Sequence, residues 1–333
     1  MTAPGAGASG EDSLIARYFR PLATEPGAFD LADDAAILKA LGEDIVVTTD
    51  AIVEGVHFLP NDPPDTVAQK ALRANLSDLA AKGAAPAGFV LTLALRAADD
   101  AWLTPFARGL KADAKRFHCP LLGGDTVSTP GPLMISITAF GRVAAGKMVR
   151  RRGAKLGDRV VVTGTIGDAA LGLDILRGGR VAAALAGDYG AREMLVGRYR
   201  VPQPKTTLAP AVRDHASAAM DVSDGLAGDL AKLCAASGVS AVIDMPGIPL
   251  SPAAAAALAA GAVGMEALIA GGDDYEILCT IPEQGFEAFA RAANSAGVAV
   301  SSIGTVIAGA AAPQFLDEQG RHIPLPRLAY SHF

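Results

Sequence analysis

Aromatic residues are scarce, 5% of 333 residues with a single Trp, so a stacking platform for single-stranded nucleic acid is not expected. Positive charge is also short. Lys and Arg number 29 against 35 Asp and Glu, a formal net charge of −6, and the longest basic run is Arg150-Arg151-Arg152. That balance argues against a protein that grips nucleic acid through a basic surface. Cysteine is limited to Cys119, Cys234 and Cys279, odd in number and without C-x-x-C spacing. A disulfide framework and a Cys-based zinc site are therefore not expected, and reduced thiols in a cytoplasmic protein fit best. No apolar run is long enough to span a bilayer, because the Ala-rich stretch from Ala253 to Met265 is short and only weakly apolar. Residues 1–10 lack the cationic start and apolar run of a secretory signal. We expect a flexible tail there, and no membrane partner.

What the chain does have is core material. Half of it is hydrophobic and only 19% is charged, and its length suggests roughly two domains at about 150 residues each. Strand character marks Ile45 to Thr49, Phe89 to Leu95, Leu133 to Phe140 and Val160 to Val162. Helical patterns run from Asp65 to Lys82, with Leu72, Leu76 and Leu79 on one face, and from Asp99 to Phe117. The Gly- and Arg-rich segment Lys147 to Asp158 is the expected boundary. Beyond it, helices are predicted over Gly167 to Leu176, Thr206 to Ala218, Leu226 to Ser237, Pro252 to Ala260 and Glu283 to Ala296. Strands are predicted over Ala241 to Met245, Tyr275 to Ile281 and Val298 to Val306, the last closing the set. This alternation predicts a mixed α and β fold in two domains, 11–148 and 149–333.

The distinctive feature is the placement of aspartates. Asp33-Asp34, Asp50, Asp78, Asp125, Asp221, Asp224 and Asp273-Asp274 lie in or beside apolar or Gly-rich segments, mostly without an adjacent Lys or Arg. Two of them close apolar runs, in Ile45-Val-Val-Thr-Thr-Asp50 and Leu121-Leu-Gly-Gly-Asp125. Such a carboxylate is costly to desolvate unless something positive pairs with it. One Asp of this kind is an ordinary cap or turn residue, but the recurrence favours a metal as the counter-charge. Oxygen-only donors favour Mg²⁺ over zinc. The familiar phosphate motifs are missing, since Gly146-Lys147 is followed by Met148 and no kinase-type or zinc-protease motif occurs. The letters Gly5-Ala-Gly7-Ala-Ser-Gly10 match a dinucleotide loop, but no strand precedes them. Gly-Gly-Asp occurs at Gly123-Gly124-Asp125 and at Gly271-Gly272-Asp273, where bare backbone can approach a phosphate closely. A lone His such as His57 is more often a packing or hydrogen-bonding residue than a catalytic one.

Taken in order, the segments resemble the thiamine-monophosphate kinase family of the PurM-like superfamily of ATP-dependent enzymes. They are Asp33-Asp34-Ala-Ala, Thr48-Thr-Asp-Ala-Ile-Val-Glu-Gly-Val-His-Phe58, Asn75-Leu-Ser-Asp-Leu-Ala-Ala-Lys-Gly83 and Gly123-Gly-Asp-Thr126. There follow Arg151-Arg-Gly-Ala-Lys-Leu-Gly-Asp158, Val162-Thr-Gly-Thr-Ile-Gly-Asp168, Asp221-Val-Ser-Asp-Gly-Leu226, Gly271-Gly-Asp-Asp-Tyr-Glu276 and Tyr330-Ser-His-Phe333. The resemblance implies an N-terminal sheet domain that dimerises and carries the metal and ATP site, plus a C-terminal α/β domain that supplies ATP and substrate contacts. It implies that Asp34, Thr48, Thr49, Asp50, Asp78, Asp125, Asp221 and Asp224 hold several Mg²⁺ ions. Gly124, Asp125, Arg151 and Ser223 would contact ATP, and His57, Asp273 and Tyr330 the thiamine monophosphate. The chain departs from the family pattern at Ala32, where Gly is usual, and at Asp273, where Glu is common.

The implied reaction suits an acidic chain. The acceptor is a phosphate oxygen, already anionic, so no general base is expected. The difficulty is bringing two polyanions together, since unit charges about 4 Å apart repel by about 4 kcal/mol at an effective dielectric near 20. Carboxylates loaded with Mg²⁺ reverse that field. Two other functions fit these residues less well. A sibling synthetase that activates an amide or a selenide is disfavoured by the Val53-to-Phe58 segment, by the His-Phe ending and by the absence of any Cys before Cys119. A non-catalytic Mg²⁺- or Ca²⁺-binding protein lacks an EF-hand loop.

Overall fold

The computed structural model describes residues 13–31 and 38–325. The chain forms two compact units, one running through Leu79 and resuming over Ala85–Gly146, the other made of Ala80–Ala84 and everything from Lys147 onward.

The first unit contains β1 (Glu43–Val53), α1 (Pro64–Ala81, whose last two residues fall in the other unit), β2 (Ala85–Leu95), α2 (Asp100–Arg116), β3 (Leu121–Ser128) and β4 (Met134–Ala144). Its sheet has the order β1-β4-β2-β3, so β1 and β3 are the two edges. β4 is antiparallel to both β1 and β2, whereas β2 and β3 run parallel. A parallel pair needs a crossover, and α2 provides it. Asp99 starts that helix by accepting the Ala101 N–H at 2.9 Å. Along β2, Phe89, Leu91 and Leu93 are buried at period two. Leu72, Leu76 and Leu79 of α1 are fully buried, as their common face predicts. The two helices are also tied by a buried ion pair. Arg73 donates to both carboxylate oxygens of Asp113, at 2.5 and 2.8 Å.

The sequence places Asp50 and Asp125 at strand ends, but both lie inside strands. β1 continues to Val53 because Ala51, Ile52 and Val53 pair with Ser136, Ile135 and Met134. β3 continues to Ser128 because residues 126–128 pair with Leu93, Ala94 and Leu95.

The second unit contains β5 (Arg159–Thr163), α3 (Asp168–Leu176), α4 (Arg180–Ala184), α5 (Tyr189–Arg200), α6 (Ala209–His215), β6 (Ala218–Asp221) and α7 (Leu226–Ser237). Then come β7 (Ser240–Asp244), α8 (Pro252–Ala259), α9 (Met265–Ile269), β8 (Ile277–Ile281), α10 (Phe286–Ser295), β9 (Val300–Ile307) and β10 (Gln314–Leu316). The sheet order is β10-β7-β9-β5-β8-β6, which makes β6 an edge. β5 alternates between two cores. Val160 and Val162 pack with Leu226, Leu230 and Leu233 of α7, while Val161 packs with Val212 of α6 and Phe289 of α10. A third cluster joins α3, α4, α5, α8 and α9 through Leu171, Val181, Leu195, Ala254 and Leu268. The mixed α and β architecture is as expected. β9 does not close the set, however, because β10 adds a further strand parallel to β7.

Candidate active site

In the first unit, β1 and α1 bring three of the expected ligands together. Residues two apart on a strand share a face, so Thr48 and Asp50 point the same way as buried Val46 and Ile52, toward α1. Thr48 Oγ1 donates to Asp78 Oδ2. The buried Asn75, one turn before Asp78, accepts the backbone N–H of Asp50 at 3.1 Å and donates to the Ala71 carbonyl at 3.0 Å. That amide fixes the height of Asp50 against the helix. Thr49 faces the other way. Its hydroxyl donates to the Ile137 carbonyl at 3.2 Å and accepts from Thr138 Oγ1 at 3.0 Å.

Asp125 shares that second face. Asp125 stands opposite Thr92, which stands opposite Ser136, which stands opposite Ala51. By this register Asp125 lies across the sheet from β1, on the face that Thr49 occupies and Asp50 does not. Its carboxylate accepts the Thr126 N–H at 2.9 Å and is exposed. Gly124 has a packing reason for being glycine, since a Cβ there would lie 2.0 Å from the Leu91 carbonyl oxygen. His57 closes the turn after β1. Its Nδ1 accepts the Val53 N–H at 3.1 Å, and its carbonyl accepts from the buried Lys70 at 2.8 Å. The turn is braced by Arg96, which donates to both oxygens of Glu54 and holds that carboxyl below its usual range.

In the second unit, the edge strand β6 leads through Asp221, Val222, Ser223, Asp224 and Gly225 into α7. Asp229, fully buried in the first turn of α7, accepts the N–H groups of Ser223 and Asp224 at 3.0 Å each. Lys232, one turn further, donates to Asp224 at 2.5 Å and to Asp229 at 2.9 Å. Burial pushes the Asp229 carboxyl up, against the pull of Lys232. Arg151 lies beside the same strand, because the Ala219 N–H donates to the Arg150 carbonyl at 2.9 Å.

The second Gly-Gly-Asp is clamped onto this turn. The N–H groups of Asp273 and Tyr275 donate at 2.8 Å to the carbonyls of Ser223 and Val222. Gly272 must be glycine, since a Cβ would come within 2.5 Å of the Ser223 carbonyl oxygen. Asp273 and Tyr275 take left-handed backbone, φ 70° and 51°. Beneath the loop lies a buried charge cluster. Arg198 and Lys205 donate to Glu276 Oε1 at 2.5 and 2.9 Å, and Thr163 donates to its Oε2 at 2.6 Å. Asp274 accepts the Gly167 N–H at 2.7 Å. Burial, reinforced by the neighbouring charge of Asp168, pushes the Asp274 carboxyl well above the usual range.

Two family models match in tandem. "AIR synthase related protein, N-terminal domain" covers residues 32–143, and "AIR synthase related protein, C-terminal domain" covers 155–312. The thiamine-monophosphate kinase of Caulobacter vibrioides is 46% identical, over 99% of this chain and 93% of its own length. The chain belongs to the thiamine-monophosphate kinase family. The crystal structure of the Stenotrophomonas maltophilia K279a family member superposes with a TM-score of 0.77 at 36% identity, covering 88% of this chain and 91% of that one. A structure of "AaThiL complexed with AMPPCP and TMP" gives a TM-score of 0.76 at 29% identity, covering 90% and 91%. The kinase class and the PurM-like mixed α and β fold follow from that membership.

Against this family frame, the expected residues fall into separate groups. Thr48 and Asp78 meet between β1 and α1, and Asp50 lies two residues along the same strand face with its N–H bonded to Asn75. Thr49 and Asp125 share the other face of the same sheet, with Gly124 beside Asp125. Asp221, Ser223, Asp224, Asp273 and Arg151 gather around the β6 edge of the second unit. Asp34 and Tyr330 lie outside the described residues. The contacts of Asn75, Asp229 and Lys232 are set by tertiary structure. Asp229 carried a usable signal, a first-turn Asp that follows a Ser-Asp-Gly turn.

Proposed function

We propose that this kinase transfers the γ-phosphoryl group of ATP to the phosphate of thiamine monophosphate by direct in-line displacement, giving thiamine diphosphate with the help of several Mg²⁺ ions. The observation that carries the reading is the Thr48–Asp78 pair, with Asp50 on the same strand face, in a member of this family. Among the described residues, no three His, Cys, Asp or Glu side chains group so as to hold an ion alone. Mg²⁺ needs no such cage, because one or two carboxylates with waters and substrate phosphates suffice, and the oxygen-only donors fit it. Bound Mg²⁺ would supply charge neutralisation for the phosphates.

The chain's own residues then divide the work. Thr48, Thr49, Asp50, Asp78 and Asp125 in the first unit, Asp221 and Asp224 in the second, and Asp34 hold the ions. Arg151, Ser223, Gly124 and Asp125 hold ATP. Asp229 fixes the Ser223 and Asp224 amides, so that turn needs no reordering when substrate arrives. His57, Asp273 and Tyr330 hold thiamine monophosphate, with the Asp273 carboxylate opposite in charge to the thiazolium ring. No side chain acts as a base.

We assign residues 11–148 to the metal and nucleotide site and to dimer contact, and 149–333 to nucleotide and substrate contact. A second copy of the chain covers the sheet face of the first unit that bears Val47 and Val127, 58% and 44% exposed. A stable monomer in sedimentation at micromolar concentration would reject that dimer.

Incubation with Mg-ATP and thiamine monophosphate should yield thiamine diphosphate and ADP in equal amounts. ATP turnover without thiamine diphosphate would overturn the assignment. Asp78→Asn and Asp125→Asn should each abolish transfer while leaving the melting temperature unchanged. Activity of either variant persisting at low Mg²⁺ would reject the metal roles.

A further inference from the structure

Lys232 places an ammonium group where the proposed function requires a divalent cation. Its Nζ donates to Asp224 Oδ2 at 2.5 Å and to Asp229 Oδ1 at 2.9 Å. The two carboxylates differ in kind. Asp229 is fully buried, and its other oxygen is taken by the N–H groups of Ser223 and Asp224. Asp224 is 36% exposed and Lys232 41% exposed, so this half of the bridge is open to water and ions. Lys232 is thus anchored at one end by a carboxylate that cannot leave. The other end holds a carboxylate that an ion can reach.

We propose that Lys232 competes with the divalent cation for Asp224, and so sets the cation concentration at which that ligand is filled. The proposal rests on Asp224 being a metal ligand. Two effects oppose the incoming ion: Asp224 must give up its bond to Lys232, and the ammonium group then stays beside the ion, held by Asp229. Asp229 also keeps the head group from swinging far away, so the lysine returns to Asp224 when the ion departs. Lys232 is a positioning and tuning residue, and it touches no reacting atom.

The test measures Mn²⁺ binding to the full chain without nucleotide, by the EPR signal of the free ion. Lys232→Gln keeps a donor for Asp229 but removes the charge, and should tighten binding about three- to tenfold. Lys232→Arg grips a carboxylate with a planar fork and should weaken binding about twofold or more. These opposite directions keep the test decisive if one variant folds poorly, which thermal melts will show. In an Asp224→Asn background, neither substitution should change Mn²⁺ affinity. Equal affinity of wild type, Lys232→Gln and Lys232→Arg, with Asp224→Asn weakened, would overturn the competition while leaving Asp224 a ligand. Unchanged affinity of Asp224→Asn would instead remove Asp224 from the metal set.

Discussion

Gly123 and Gly124 are adjacent and share one motif, but only Gly124 should resist replacement by alanine. A Cβ on Gly124 would sit 2.0 Å from the Leu91 carbonyl oxygen and 2.9 Å from its carbon. The obstacle is backbone in the neighbouring strand, which no rotamer change can move aside. β2 and β3 would have to part by about an ångström, giving up one or two ladder hydrogen bonds and disturbing the buried face around Leu91 and Ile137. Overpacking costs about 1–3 kcal/mol, and each lost hydrogen bond about 0.5–1.5 kcal/mol. Gly124→Ala should therefore lose about 2–5 kcal/mol, which is a fall of about 5–15 °C in melting temperature. A Cβ on Gly123 meets only Val90 Cγ1 at 4.0 Å, and its backbone is not left-handed. Gly123→Ala should melt within about 2 °C of wild type. Thermal unfolding followed by circular dichroism reads both. If Gly124→Ala melts like wild type, the packing account is wrong and the glycine must be explained by what approaches it from outside the chain.

Other consequences can be checked separately. Glu276→Gln leaves Arg198 and Lys205 without their shared carboxylate in a buried site, and should cost about 3–5 kcal/mol in denaturant unfolding; a loss below about 1 kcal/mol would show that the cluster is not electrostatically coupled. The folded Asp274 carboxyl holds its proton above the ordinary value of 3.8, so stability is lost as pH rises from near that value through the folded one. Asp274→Asn should accordingly gain melting temperature relative to wild type as pH rises above about 4, and a pH-independent difference would refute the assignment. Burial pushes Cys119 and Cys279 up to about 12 and Cys234 to about 11, so iodoacetamide should label native protein negligibly and all 3 cysteines after denaturation.

Elements specified by their own residues were legible from the chain. α7 runs from Leu226 to Ser237 as its pattern and the flanking Gly225 and Gly238 indicate. α2 begins where Asp99 caps it. α5 was not seen, because Gly190 and Gly197 interrupt its periodicity, although Asp188 caps it by accepting the Ala191 N–H at 2.9 Å. β10 is three residues long, and its partner β7 lies some seventy positions earlier, a distance over which no local pattern speaks. Lys70 and Arg73 are charged yet buried, Arg73 by virtue of Asp113 on another helix, and no local pattern marks that burial. The aspartates were legible as a group. Their division between the two faces of the first sheet was not, because it depends on the register linking β1, β4, β2 and β3.

Buried and exposed carboxylates are handled differently in this acidic chain. Carboxylates turned inward are each satisfied by the chain itself. Asp113 has Arg73, Glu276 has Arg198 and Lys205, and Asp229 has Lys232 with two backbone N–H groups. Asp274 rests on the Gly167 N–H, with its carboxyl pushed toward the neutral form. These groups hold the β6 turn and the 271–276 loop in place, and their charge is spent within the fold. Asp50 and Asp224 differ in being at least partly open to solvent, where an ion can reach them without the cost of entering a dry interior. Asp224 stands between the two classes, bonded to a lysine yet open to water. On the proposed reading, exchange of one cation for another at Asp224 leaves the buried Asp229 bonded, which makes Asp224 the ligand whose occupancy the chain can best regulate.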